Sequence, residues 1–411
     1  MGIGLRVVLG AVLALPASLI ADGVVYENQT LVASPDFNGR ALIHITGASK
    51  VRIRNVIIDG RRDLLEQRLP IAENGTPFID YYRRNGIAID RSTDVIIEDV
   101  VIRNVANLAI VVARSSNVII RRVTVEDSGS RDARGRNNTT GGILIEEGTS
   151  QFEIRDCRLR RIRGNAIWTH SYSASPRNRD GVMASNEIDT VGRDAMQAGH
   201  ATRLRIENNV LRNVGYPVEI VDVENQGYPV GIDTAGNVDA THYTANRMFE
   251  VNGKCFDLDG FHDGTVTRNL CINSHDVAAY PNANLAVLFN DSHPESESRN
   301  ITLEKNTFDG MSYGGMFVYG SGHRIAGNTF LHLNRKAYRG EPGYLRAGIY
   351  FATGLLRPNP PRNIVVEGNW ISGYGMRLNC IVDAPGVAKS GYRLVRNECA
   401  DAKPAAPDAL H

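Results

Sequence analysis

The chain has 411 residues, with 46 basic side chains against 45 acidic ones and a net charge of +1, a balance that removes the electrostatic case for nucleic acid or an anionic membrane as partner. Its length exceeds what one ordinary globular core uses, so it asks for two domains or for an elongated repeat. The basic side is almost all arginine, with six lysines, and arginine's planar fork leaves an anionic sugar open as a ligand.

Arg6 is the only charge before Asp22. Val7 to Leu15 is a short apolar run, and Pro16, Ala17 and Ala21 supply a helix breaker and small residues for cleavage. Residues 1–21 therefore read as a signal peptide, too short to span a bilayer. The expected product is secreted, periplasmic or extracellular, with residues 22–411 as a single domain and no later membrane span. Export permits disulfides, and the five cysteines leave at least one unpaired.

From there a period of roughly 22 to 35 residues runs along the chain. Each unit has two β-rich runs. The first-run series begins at "NGIAID" and "LAIVVAR" and continues through "GGILIEEG", "NAIWTHS", "DAMQAGH", "PVEIVDVE", "CFDLDGFHDG", "LAVLFND", "GGMFVYG", "AGIYFATG" and "CIVDAPG". The second series runs from "VRIRNVIIDG" to "YRLVRNEC". The runs alternate with period two, are β-branched, and end in Gly, Asn, Asp or Ser. With no amphipathic helices between them, a sheet with helical crossovers is excluded, and hairpin signals are too sparse for a propeller. Asn186, Asn209, Asn269, Asn306, Asn328, Asn369 and Asn397 recur at one place in the second series, two residues before an apolar one. Stacked asparagines at a tight turn satisfy the bend's backbone groups.

The coil period, the asparagine ladder and the apolar alternation resemble the right-handed parallel β-helix superfamily of the pectin-lyase type, over nearly the whole chain after Asp22. The resemblance implies an all-β solenoid of about 11 to 12 coils. It leaves function open, because that superfamily holds hydrolases, lyases, epimerases, adhesins and tailspikes. Cys255 and Cys380 both open a first run, and Cys271 and Cys399 both sit two residues after a ladder asparagine. Bridges Cys255–Cys271 and Cys380–Cys399 are expected, each closing one coil, with Cys157 left in the core.

Strand alternation points Ile87/Ile89, Ile143/Ile145, Phe256/Leu258, Met316/Val318 and their equivalents inward. The residues between them face out: Glu146, then Trp168 and His170, Gln197, Glu219, Asp257 and Asp259, Asn290, Tyr319 and Tyr350. His200 and His262 lie at strand ends nearby, with Asp222, Asp263, Asp291 and His293. This column puts an acidic centre of Glu219, Asp257 and Asp259 among secondary groups His170, His200 and His262. Glu146, Trp168, Gln197, Asn290, Tyr319 and Tyr350 are the expected substrate contacts, the aromatics as platforms for sugar rings. Clustered carboxylates repel, so one takes a proton or the group holds a cation. A protonated member serves as general acid while an ionised one activates water.

The segment "CFDLDGFHDG" also resembles the paired-aspartate segment of polygalacturonase-type hydrolases, without the Gly-His-Gly and Arg-x-Lys motifs that family carries. The leading expectation is a secreted glycoside hydrolase that needs no cofactor or metal. A polysaccharide lyase or uronate epimerase on the same groove is the alternative; a lyase would place calcium among Glu219, Asp222, Asp257 and Asp259, with Lys254 close by. A non-catalytic glycan-binding or surface protein is the third. Insertions at Arg61 to Arg84, Ser128 to Thr140 and Asn334 to Arg346 are expected groove walls, with "IDYYRR" offering aromatics and arginines to a glycan.

Overall fold

The computed structural model describes residues 21–65, 76–131, 135, 139–172, 175–221, 228–282, 284–291, 296–336 and 343–402. Residues 1–20, where a signal peptide is expected, Asp222 and His293 lie outside the described residues.

The strands stack in three parallel ladders, one per side of a solenoid, and one circuit of the chain visits each side once. The first ladder starts with Ala41–Thr46, Asn85–Asp90 and Leu108–Ala113 and ends with Met316–Val318, Ile349–Phe351 and Ile381–Asp383, twelve strands in all. Every pairing in it is parallel. The inward residues expected from alternation are buried: Ile87, Ile143, Phe256, Leu258, Phe289, Met316 and Phe351 all belong to one continuous core.

One column of the first ladder must stay small. Register aligns Gly86, Ala109, Gly142, Ala166, Ala195, Gly231, Cys255, Ala286, Gly315, Gly348 and Cys380. A Cβ on Gly142 would lie 2.2 Å from the Ala166 carbonyl oxygen, and one on Gly315 2.4 Å from that of Gly348. Two cysteines occupy this column, and each bridges across its own coil. Cys255 pairs with Cys271 and Cys380 with Cys399, with Cα atoms 6.3 and 6.0 Å apart, inside the range a disulfide spans.

At the bend from the second ladder to the third, a residue with left-handed φ comes immediately before the ladder asparagine: Ser185, Asn208, Ala245, Arg268 and Lys305 lie between 55° and 58°. Each asparagine donates its backbone N–H and its Nδ2 to the Oδ1 of the next, from Asn186 to Asn209, Asn246, Asn269, Asn306, Asn328, Asn369 and Asn397. Asn246 is a rung that the sequence reading passes over. Cys157 occupies the rung before Asn186 and donates its N–H to it; burial pushes its thiol up to about 12, as an inert core thiol requires.

Asn246→Ala removes the acceptor for two donors of Asn209 and the donor to the Ile206 carbonyl. The expected cost is about 2 kcal/mol or more, read as an earlier denaturation midpoint; an unchanged midpoint would show the ladder to be energetically idle. Thiol titration of unfolded, unreduced protein should find one reactive cysteine, and five after reduction.

Candidate functional site

The site builds from the outward column of the first ladder. Register aligns Ala88, Val111, Leu144, Trp168, Gln197, Asp233, Asp257, Leu288, Phe317 and Tyr350. The column is therefore apolar, then acidic, then apolar and aromatic.

The N-terminal stretch points outward yet is buried, because the insertion before Asn85 folds back over it. Phe78, Ile79 and Tyr82 pack on Ala88, Leu108, Val111, Leu144 and Trp168. Glu146 anchors this strap: its carboxylate accepts the backbone N–H of Phe78 at 3.1 Å and of Ile79 at 2.6 Å. Arg114 adds a fork to Asp80 at 2.9 and 3.0 Å while its Nε donates to Asp90 at 2.7 Å. Burial raises the Glu146 pKa, against the nearby His170, 3.9 Å away, and the hydrogen bonds from the strap's N–H groups. His170 stacks on Phe78 at 4.5 Å. Donor atoms of Glu146, Glu147 and His170 converge within 4.8 Å, the one such group of three metal-type donors among the described residues, but Glu146 is committed to the strap.

Several expected site residues are thus relocated. Glu146 and Trp168 are structural parts of a covered face, with Trp168 2% exposed, and "IDYYRR" packs Ile79 and Tyr82 inward instead of presenting them to a glycan. Tyr319 is fully buried, its hydroxyl donating to Asp291 at 3.0 Å, so it offers no platform. His200 sits in a bulge after the first-ladder strand and faces the Ser175 carbonyl at 3.3 Å. His262 lies past the next corner, between Asn237 at 3.1 Å and Asp263 at 2.8 Å. Glu219 is on an exposed 3-10 turn, Val218–Ile220, where its carbonyl accepts Arg131 at 2.9 Å. That turn belongs to an insertion, not to the ladder. The strand of this coil is Val230–Asp239, and its outward carboxylate is Asp233.

Asp233 and Asp257 are direct partners in register, on strands about 4.8 Å apart, and are 8% and 7% exposed. Gln197, in register on the preceding strand, donates Nε2 to Asp233 Oδ2 at 2.7 Å. Lys254 donates Nζ to Asp257 Oδ2 at 2.6 Å, and its own side chain is 11% exposed. Asp194, at the strap-side corner, is buried; it accepts the Val230 N–H at 2.9 Å and lies 3.4 Å from Arg193. Burial, then the charges of Asp194 and Asp257, push the Asp233 pKa well above the ordinary carboxylate range, with the Gln197 hydrogen bond opposing. Burial likewise raises Asp194. Burial works against the Lys254 ammonium, but Asp257's charge and hydrogen bond outweigh it and raise the lysine's pKa. The result is one carboxyl whose pKa is raised well above the ordinary range beside another that is held by a lysine. Asp259 and Asn290 continue the next outward column and are half-buried. Asp257 Oδ1 and Asn290 Oδ1 are buried and accept no hydrogen bond from the described residues.

Asp233 was missed because "PVEIVDVE" mimics a first run; Asp194 opens the run "DAMQAGH", at a corner that alternation along the strand does not assign. The small column held the signal: "VGID" has Gly231 where "NGI", "GGI", "GGM" and "AGI" have theirs, and "PVEI" has Val218.

Residues 41–233 match the family described as the right handed beta helix region. The chain is a right-handed parallel β-helix. Similar solved structures include a mutant of the periplasmic alginate epimerase AlgG (12% identity, TM-score 0.51, 87% of this chain and 77% of that one). Another is the A-module of the Azotobacter vinelandii mannuronan C-5 epimerase AlgE6 (15%, 0.50, 85% and 91%). A third is a GH136 lacto-N-biosidase from Eubacterium ramulus (13%, 0.51, 92% and 61%). No curated protein matches the β-helix by sequence.

Glu146→Ala strands two strap N–H groups and should free the strap locally. The expected signature is a red-shifted Trp168 emission and new proteolysis near Phe78, in a protein whose core still unfolds cooperatively; an unshifted spectrum would show that the strap holds without its anchor.

Proposed function

We propose that this β-helix is an exported carbohydrate-active enzyme that cleaves glycosidic bonds, with Asp233 as the acid and Asp257 as the nucleophile or base. The observation that carries the reading is the pairing itself: two nearly buried carboxyls in direct register, one with its pKa pushed up and the other bound by Lys254. Asp233 donates its proton to the leaving glycosidic oxygen. Asp257, aimed by Lys254, attacks the anomeric carbon or activates water. The strand spacing of about 4.8 Å lies near the 5 to 5.5 Å carboxyl separation of retaining hydrolases, so retention of configuration is expected. The unpaired Oδ1 atoms of Asp257 and Asn290 suit sugar hydroxyls, which are donors in supply. Two disulfides fit an oxidising compartment. The folds shared with proteins named as epimerases of alginate and mannuronan and as a lacto-N-biosidase agree with a glycan substrate.

One observation favours a second reading, a lyase or C5-epimerase. A lysine ammonium inside an acidic site is the group that would neutralise a uronate carboxylate. A lyase product is unsaturated and absorbs in the ultraviolet; a hydrolase yields only new reducing ends. Since Lys254 already supplies a cation at the carboxylates, chelator treatment should leave activity unchanged.

Asp233→Asn and Asp257→Asn should each lower activity about 100-fold or more across a glycan panel, in line with general acid–base contributions. A fully active Asp257→Asn would sink the assignment. The Asp233 proton also has a stability consequence. Its folded pKa lies above the unfolded value, so the folded state binds the proton more tightly. Stability is then greatest below the ordinary Asp range and falls as pH rises through the folded pKa; Asp233→Asn should flatten that fall.

A further inference from the structure

The outward column ends differently on its two sides. Toward the N-terminus it meets a wall. Val111 and Leu144 are fully buried although they point out, and Trp168 sits 5.6 Å from Phe78. Asp233 lies two strands beyond Trp168, so about 10 Å of face separates the wall from the acid. Toward the C-terminus, among the described residues, the cover is only partial. Leu288 and Tyr350 are half-buried; Phe317, 8% exposed, lies between them with its ring stacked on Tyr350 at 5.7 Å and 21°; and Tyr344, 51% exposed, meets both rings edge-on at 6.2 Å.

We infer that the groove takes the end of a glycan chain, so that the enzyme releases a short terminal unit of one or two sugar rings and does not cut within chains. The inference rests on the glycan-cleaving reading. The terminal unit occupies the stretch between the strap and Asp233. The rest of the chain leaves past Leu288 over Tyr350 and Tyr344, the aromatic rings that reach the surface at this end. No chain continues the other way, because Phe78, Ile79 and Tyr82 occupy that path and are fixed by Glu146 and Arg114. The continuity of the platform with the acidic pair, in one register column, selects the remainder of the same glycan as its occupant.

The test uses the full-length protein on fluorescently end-labelled polygalacturonate, polymannuronate, xylan, β-glucan and N-acetyllactosamine-type oligosaccharides. The expected result, on whichever is cleaved, is one short product from the first time point, with the remaining chains shortened stepwise. A spread of intermediate lengths at early times would overturn the end-on inference and leave the glycosidase reading standing. Tyr350→Ala should raise KM about tenfold for chains long enough to reach the platform, leave kcat alone, and leave the shortest substrate unaffected. Tyr350→Phe should restore the long-chain KM. A KM that rises equally at all lengths, or at none, removes the platform from the proposal. If no panel member is cleaved by the native protein, and none binds Asp257→Asn in calorimetry, the enzymatic reading falls and this inference with it.

Discussion

Everything in this molecule depends on the register of one coil upon the next. Two devices hold it. At one bend a left-handed residue turns the chain and the following asparagine passes its hydrogen bonds to the asparagine above. In the first ladder a column of Gly, Ala and Cys lets a strand's start lie against its neighbour's carbonyl. A slip of one residue would turn every inward side chain out. It would also place Val218-like bulk where Gly142 leaves 2.2 Å. The rungs are 22 to 41 residues apart in sequence, so extra length is carried in corner insertions while the ladder pitch stays constant.

That constancy gathers the acidic centre. Asp194, Asp233, Lys254 and Asp257 come from three consecutive coils. Asp233 and Asp257 meet because parallel strands in fixed register stack side chains of equal position, and Lys254 reaches Asp257 from three residues earlier on the same strand. The three carboxyls differ in what faces them. Lys254 binds one oxygen of Asp257; Arg193 and the Val230 N–H serve Asp194; Asp233 has the neutral Gln197 amide, and burial with the charges of Asp194 and Asp257 pushes its pKa well above the ordinary range. The asymmetry of the group thus follows from which partner each strand position supplies. Such an arrangement costs folding free energy, which is a reason to look for its use in chemistry.

The fold was legible because its signals are local and repeated. Period-two alternation selected the inward residues, and the two positions at which cysteine recurs located both disulfides. The site was half legible. Gln197, Asp257, Asp259, Asn290 and Tyr350 stand on the outward face of the first ladder, as alternation placed them. Glu219 failed because "PVEIVDVE" has strand-like residues in an insertion, and one miscounted coil hid Asp233 and Asn246 together. Glu146, Trp168 and Tyr319 failed for another reason. Alternation reports which way a side chain leaves its strand and says nothing of what folds over it. The strap at Phe78 reaches Glu146 across 68 residues of sequence, and Asn359 reaches Asp291, the partner of Tyr319, across another 68.

The strap and the acid pair stand on one register column. A carboxyl keeps its proton only where water and countercharge are both scarce. On an open solenoid face, column neighbours alone would leave Asp233 solvated on one flank. Here the strand before Gln197 carries Trp168, Phe78 closes over that indole, and the dry wall extends to within two strands of Asp233. The apolar wall and the acidic pair therefore share one column but not one surface: the wall ends at Trp168, and Gln197, donating to Asp233, stands on the strand between them.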